Sequence, residues 1–340
     1  MYRSSMRHSP TPDRSHGPVD LCPMHLRTML TSLALALVGM SSTPIASAAP
    51  ADLKIATYNV FLFSRNAYPN WGQQARADLI KADGVLAGQD VVVLQEMFDN
   101  ETSERLLANL SDAYPHQTPV MGRSRSGWDS TQGSYSNTVP EDGGVAVVSR
   151  WPIAEKIQYV YKDACGWDNQ ANKGFVYVKT MSPNGPVHVL GTHMQADATR
   201  CTVPEAPIRA KQLDEVVTFL KAKAIPADET VVFAGDLNID RSAPEYTDAL
   251  RRLNARTPES TTGHPFSFDP QTNSISMDRD KGHPRQQLDH VLLLNGHAGP
   301  ARWNNETRMI HSPKWTVSSW GKEYSYTDYS DHYPVFATAN

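Results

Sequence analysis

Thr230-Val231-Val232-Phe233-Ala234-Gly235-Asp236-Leu237-Asn238 decides the fold, because an apolar run passes directly into a carboxylate and an amide. Runs without polar alternation suit strands buried on both faces, in a sheet covered by helices or packed on a second sheet. Asp236 and Asn238 then stand at the rim of that sheet. Two residues apart in extended chain, they would point to one side. The pattern recurs: strands are predicted over 53–60, 90–95, 144–149, 175–179, 187–191, 230–234, 288–294 and 334–338. Polar residues sit at or beside the ends of several of them, namely Asn59, Glu96, Gly191-Thr192-His193, Asp289 and Ser330-Asp331-His332.

Helices fit between the strands. Leu213, Val216, Val217 and Leu220 follow the spacing of one helical face, and Ala75, Leu79 and Leu86 give a sparser version. Pro244 can open a third helix running through Leu250. The polar stretches 122–138 and 269–287 are expected to be long surface loops. No repeat, heptad or interdomain linker interrupts residues 49–340, so one α/β domain is expected.

Each polar string alone has an ordinary explanation, as a turn aspartate, a strand-end histidine or a surface charge. Six in this order describe a metal-dependent phosphodiester-cleaving centre. A phosphodiester resists attack because its oxygens are negative and its leaving alkoxide is poor, and a divalent cation offsets both. Glu96 is a hard oxygen ligand at a strand end, with Asn59, Asp236 and Asp331 as further candidates. Magnesium needs only one or two carboxylates, and manganese or cobalt are possible substitutes. His332 can take a proton from water if a carboxylate orients its ring, and Asp289 is the candidate orienter. His193 remains to donate to the phosphate or the leaving oxygen, while Asp236 and Asn238 can share a water or a phosphate oxygen.

The 340 residues are 40% hydrophobic, enough for a substantial core. Arg27 precedes an apolar run from Met29 to Met40 that is too short to span a bilayer, and Ala46-Ser47-Ala48 is a small-residue processing site. Residues 24–48 therefore read as a secretory signal within an N-terminal extension 1–48, which predicts a secreted, extracellular protein. Without the four arginines and two aspartates of that segment, the chain holds 28 basic and 34 acidic side chains, a net of −6. Non-specific nucleic-acid binding draws on a basic surface, so no nucleic-acid partner is expected. Cys165 and Cys201 are the cysteines left after processing. In an oxidising compartment such a pair forms a disulfide, worth about 3–4 kcal/mol by loop entropy, with two buried thiols as the alternative.

Further strings narrow the reading: Tyr68-Pro69-Asn70-Trp71-Gly72, Pro140-Glu141-Asp142-Gly143-Gly144-Val145, Asn172-Lys173-Gly174-Phe175-Val176-Tyr177, Trp315-Thr316-Val317-Ser318-Ser319-Trp320 and Asp328-Tyr329-Ser330-Asp331-His332-Tyr333-Pro334-Val335. Through them the chain resembles the endonuclease/exonuclease/phosphatase superfamily with the deoxyribonuclease I-like fold, and within it the secreted bacterial neutral sphingomyelinases C. The resemblance implies a four-layered α/β sandwich of two mixed β-sheets flanked by helices. It also implies cleavage of sphingomyelin in membrane surfaces to ceramide and phosphocholine. By matching position, Glu96 would ligate magnesium with help from Asn59, His332 would be the general base oriented by Asp289, and His193 the general acid. Lys173 would contact the phosphate. A second metal position is implied at the Phe98 backbone, Asn100, Glu141 and Asp142, and a disulfide at Cys165–Cys201.

The segment 315–329 reads as an aromatic hairpin with a Gly321-Lys322 turn and Trp320 as the membrane contact. Relatives most active on membranes carry two adjacent aromatics at this tip. Here Gly321 follows Trp320, which predicts shallower insertion. For the choline group, Trp71, Trp128, Tyr135 and Trp167 are all candidates. A secreted magnesium-dependent nuclease is the alternative function, disfavoured by the acidic balance. A monomer without an obligate protein partner is expected.

Overall fold

A computed structural model describes residues 52–197 and 200–339, all within one compact unit. The predicted extension and signal segment 1–48 lies outside the described residues. In chain order the strands are β1 (Lys54–Asn59), β2 (Val91–Gln95), β3 (His116–Gln117), β4 (Ser130–Gly133), β5 (Ala146–Ser149), β6 (Ile153–Val160), β7 (Gly174–Ser182), β8 (Gly185–His193), β9 (Thr230–Asp236), β10 (Ala255–Arg256), β11 (Ser260–Gly263), β12 (Asp289–Leu294), β13 (Asn304–Thr307), β14 (Trp315–Ser319), β15 (Lys322–Tyr326) and β16 (Val335–Thr338). The helices are α1 (Gln73–Ala82), α2 (Asn100–Leu110), α3 (Ala206–Lys223), α4 (Pro244–Leu253) and α5 (Ser274–Arg279).

Two mixed sheets of seven strands each form the middle of the molecule, ordered β11-β13-β16-β1-β2-β5-β3 and β10-β12-β9-β8-β7-β6-β4. Alternation explains why the strands are apolar throughout. In β2, Val91 and Val93 face the second sheet, where they join Val189, Val232 and Val291, while Val92 and Leu94 face the helices. Helices α1 and α2 cover one outer face through Ile80, Leu106, Leu107 and Leu110. On the other face, α3 and α4 pack Leu213, Val216, Phe219 and Ala249 against Phe233 and Leu292. The result is the expected helix-sheet-sheet-helix sandwich. Each aliphatic side chain buried this way contributes about 1.5–3 kcal/mol of transfer free energy.

Gly191 shows how closely the sheets approach. A Cβ there would lie 2.6 Å from Val93 Cγ1 of the opposite sheet, so no larger residue fits without displacing it. Register then aligns the polar ends. His193 pairs with Asp236 across β8 and β9, and Asp236 pairs with Asp289 across β9 and β12. Three of the predicted site residues thus form one row at one rim of the second sheet. In the first sheet Asn59 pairs with Gln95, which places Glu96 one residue beyond.

Several local expectations change. Leu86 lies beyond the end of α1, though it is buried, because the helix stops at Ala82 before Asp83 and Gly84. The stretch 269–287 is not only loop: Asn273 caps α5 by accepting from the N–H groups of Ile275 and Ser276. The hairpin turn is Trp320-Gly321, not Gly321-Lys322, since Ser319 pairs with Lys322. Both turn residues have positive φ, 49° and 72°, as a type I′ turn requires. Strands β14 and β15 pair only with each other, and Trp315 and Tyr326 pin them to Phe61, Trp71 and Ile275.

Candidate active site

The centre forms where the two sheets expose matching rims. Asn59 Nδ2 donates to Asp236 Oδ2 at 3.0 Å, tying the end of β1 to the end of β9. Its Oδ1 accepts from the Phe61 N–H at 3.1 Å, so the amide holds both the turn and the carboxylate. Ser330 Oγ donates to the Asn59 carbonyl at 2.6 Å, which brings the Ser330-Asp331-His332 string alongside. His332 Nδ1 lies 2.7 Å from Asp289 Oδ2, and its Nε2 lies 3.9 Å from Asp236 Oδ2. Asp236, Asp289 and His332 could together hold a cation.

His193 enters from β8. Its Nε2 is 3.8 Å from Asp236 Oδ2 and 3.9 Å from Glu96 Oε1. Lys173 Nζ lies 3.2 Å from the same Nε2 and 3.0 Å from Asp168 Oδ2, and it is buried rather than exposed in its Asn-Lys-Gly turn. Glu96 and Asn238 both hold left-handed backbone, with φ of 57° and 51°. That conformation disfavours ordinary side chains and concentrates at functional sites. It also corrects the extended-chain argument for Asn238: the backbone turns, and Asn238 Nδ2 donates to the Met194 carbonyl at 3.1 Å. Asn238 nonetheless lines the same cavity as Asp236, Glu96, His193 and His332.

Burial sets the proton affinities. Glu96 is pushed up to about 7 by burial and by the negative charge of Asp331. Asp236 rises to about 6 through burial and the neighbouring Asp289. For His332 burial opposes the charge, but Asp289, Asp236 and Asp331 overcome it and raise the ring to about 10. His193 goes the other way, held well below its ordinary value by burial and by the cations Lys173 and His332. Carboxylates this costly to ionise, in one cavity, form a site that welcomes positive charge. Glu96 Oε2 and Asp289 Oδ1 are buried without a hydrogen-bond partner, as oxygens reserved for a cation or a substrate proton would be.

Beside this cavity a second one of about 640 Å³ shares Glu96, His193 and Arg279 with it. Phe63, Tyr68, Phe98, Glu141, Trp167, Asp168 and Lys173 complete part of its wall. Of the four aromatic candidates for choline, Trp167 is the one on this wall; Trp71 is core, and Trp128 and Tyr135 pack against the inter-sheet core. Asp142 accepts from the Arg123 guanidinium at 3.0 Å and from the Gly144 N–H at 2.8 Å, and burial still raises it to about 7. Glu141 is half-buried and lines the second cavity beside Phe98, while Asn100 begins α2.

Arg279 was not legible as a site residue. It ends α5, bonds Asp331 Oδ2 through Nη1 at 2.8 Å, and lies over the rings of Phe61 and Phe63 at 4.7 and 5.4 Å. No motif surrounds it in the sequence. The only signal was its place between two acidic residues, Asp278 and Asp280, in a stretch read as loop.

The Endonuclease/Exonuclease/phosphatase family profile matches residues 56–332. Sphingomyelinase C from Bacillus cereus is 50% identical over 295 residues, spanning 84% of this chain and 88% of the relative. The chain belongs to the sphingomyelinase C family. The crystal structure of sphingomyelinase C from Streptomyces griseocarneus superposes with a TM-score of 0.83 at 52% identity, covering 85% of this chain and 99% of that one. A beta toxin variant from Staphylococcus aureus, crystallised with bound magnesium ions, gives a TM-score of 0.83 at 46% identity over 85% of this chain and all of that one. The orphaned Glu96 oxygen and the cost of ionising its carboxylate fit such a cation in this sphingomyelinase C family member. Cys165 and Cys201 are disulfide-bonded, with Cα atoms 5.2 Å apart, joining the loop after β6 to the segment before α3. Among the described residues no helix is long and apolar enough to cross a membrane.

Proposed function

We propose that this protein is a secreted, magnesium-dependent sphingomyelinase C that hydrolyses sphingomyelin at a membrane surface to ceramide and phosphocholine. One observation carries the reading: the buried Asp289–His332 pair faces Asp236 and Glu96 in a chain whose likeness to sphingomyelinases C spans nearly their whole length. Glu96, supported by Asn59, would hold the metal, and Asp331 and Asp236 border it. The chemistry supplied by bound magnesium is electrostatic: it offsets the phosphate charge, eases alkoxide departure and counters the carboxylates that keep His332 protonated.

The side chains divide the remaining work. Asp289 holds Nδ1 of His332, which leaves Nε2 to take the proton of an attacking water. Asp236 stands 3.9 Å from that nitrogen and can orient the water. Asn238 and Lys173 present N–H donors near the phosphate position. His193 is neutral in the free site; a phosphodiester anion opposes the charges of Lys173 and His332, favours its protonation, and so readies it to give a proton to the leaving oxygen. Trp167 and Tyr68, exposed on the wall of the second cavity, are the aromatic faces for the trimethylammonium group, with Glu141 and Asp168 as nearby acids. Asp142 and Glu141, with Asn100 and the Phe98 carbonyl, support a second metal position that orders this wall.

Trp320 is 63% exposed at the hairpin tip and serves as a shallow interfacial anchor, so activity is higher on vesicles than a soluble site alone would give. The chain acts as a monomer. Phosphocholine release from sphingomyelin vesicles by the chain starting at Ala49, with magnesium or chelator and beside His332→Ala, tests the reading. Magnesium-dependent release that His332→Ala lowers by about 10²–10⁴-fold supports it. Degradation of plasmid DNA with no phosphocholine released would instead favour the nuclease.

A further inference from the structure

A third cavity lies away from the reacting groups, between α5 and the hairpin. Its volume of about 890 Å³ falls within the roughly 300–1,000 Å³ of small-molecule sites. One wall is strand β15, with Glu323, Tyr324, Ser325 and Tyr326; the other is α5 and the turn after it, with Met277, Asp278 and Lys281.

Three observations limit what it can take. Its aromatic lining is Tyr324, half-buried, beside the buried Tyr326, whose ring packs on Trp71 and Trp315 and whose hydroxyl donates to Asp278 Oδ2 at 2.7 Å. Two carboxylates, Asp278 and Glu323, share the lining with a single cation, Lys281. An accessible ring beside acids favours a quaternary ammonium, and one nearby lysine suits the phosphate attached to it. Position adds the third constraint: Tyr324 meets Trp320 edge-on, with centroids 6.4 Å apart, so the cavity opens next to the hairpin tip. A group entering there while Trp320 sits at a lipid surface comes from that surface.

We infer that this cleft is a non-catalytic binding site for the phosphocholine headgroup of a bilayer lipid, seated beside the anchoring tryptophan. It rests on the membrane-surface reading above and adds selectivity to it: Trp320 supplies apolar contact with any bilayer, and the cleft favours choline lipids. The site is separate from the one that is hydrolysed, because none of its lining residues borders the cavities that hold His332 and Glu96.

Vesicle sedimentation in chelator removes turnover from the readout. The full mature chain is compared with Glu323→Lys, Tyr324→Ala and Trp320→Ala, on phosphatidylcholine vesicles and on vesicles with half of that lipid replaced by phosphatidylethanolamine. The intact chain should bind the pure phosphatidylcholine vesicles severalfold more tightly than the mixed ones. Glu323→Lys and Tyr324→Ala should each abolish that preference, while Glu323→Lys keeps full activity on detergent-dispersed substrate. If both variants retain the preference, or the intact chain shows none, the cleft is not a headgroup site. Loss of binding in Trp320→Ala alone would leave the anchor standing and sink the cleft, whereas no loss in any variant would sink both.

Discussion

Arg279 is the residue that most changes how the centre is understood. Asp331 would be an unpaired buried carboxylate without it, and Asp331 in turn raises Glu96. Removing one partner of such a pair leaves the other's charge uncompensated. Arg279→Ala should therefore lower kcat on sphingomyelin about 10–100-fold and shift the magnesium dependence, while Arg279→Lys, which keeps a charge but not the planar fork, should recover only part of the loss. Steady-state kinetics across a magnesium titration would show it; unchanged kinetics in Arg279→Ala would assign the side chain to packing on Phe61 and Phe63. Asp289→Asn leaves His332 in place but removes the charge that holds its proton. Its pH–rate profile should lose amplitude about 10²-fold, and the limb assigned to the base should move down in pH, because Asp289 is the strongest of the groups raising that histidine. Most of the centre was legible at this scale, since Asn59, Glu96, His193, Asp236, Asp289 and His332 each stand beside an apolar run. Lys173 was named through the Asn172-Lys173-Gly174 string before β7, whereas Arg279 reaches the site by tertiary packing from a short helix and stands in no such string.

Hairpin β14–β15 shows local preference overridden. Trp320 occupies a left-handed turn position that Asn or Gly would fill at lower cost. Trp320→Asn should raise stability, by about 0.5–1 kcal/mol in urea unfolding, yet cut activity on sphingomyelin vesicles several-fold more than activity on detergent-dispersed substrate. Equal losses on both substrates would mean that the indole serves the fold. Element boundaries elsewhere follow the same logic. The long strands were readable because burial on both faces leaves no polar alternation. The edge strands β4 and β11 were not, since Ser130–Gly133 and Ser260–Gly263 are polar and pair with one neighbour each. Helix α2 was missed although Asp99 caps it by accepting from Thr102, because the first turn of its buried face is polar, Thr102 and Ser103, and leaves only Leu106, Leu107 and Leu110 to carry the period. Helix α5 has only six residues, too few for periodicity to register.

At the scale of the molecule, acid should dismantle the fold in part through Asp269. Burial opposes its charge, but Arg285, the Gln271 N–H, Thr272 and His264 together hold it at about 2. A depressed folded-state value stabilises above the unfolded value near 4 and is lost as pH falls through about 2. Stability should decline over that window, and Asp269→Asn should flatten the decline while costing about 2 kcal/mol at pH 7. Thermal melts from pH 7 to pH 2 would test both; an unchanged acid limb would remove Asp269 from the account. Reduction of the Cys165–Cys201 bond should cost about 2–4 kcal/mol, measured as a lower urea midpoint with a somewhat steeper slope, because the freed unfolded chain exposes more surface.

The row His193, Asp236 and Asp289 spans three neighbouring strands, β8 paired to β9 in parallel and β9 to β12 antiparallel. A slip of one residue at either pairing would turn alternate side chains to the opposite face and scatter the row. Under the roles proposed for these three residues, activity is also an alignment gauge. After unfolding and refolding, the fraction of specific activity recovered per folded molecule counts the chains whose two pairings closed in register, which a spectroscopic measure of sheet content would pass over.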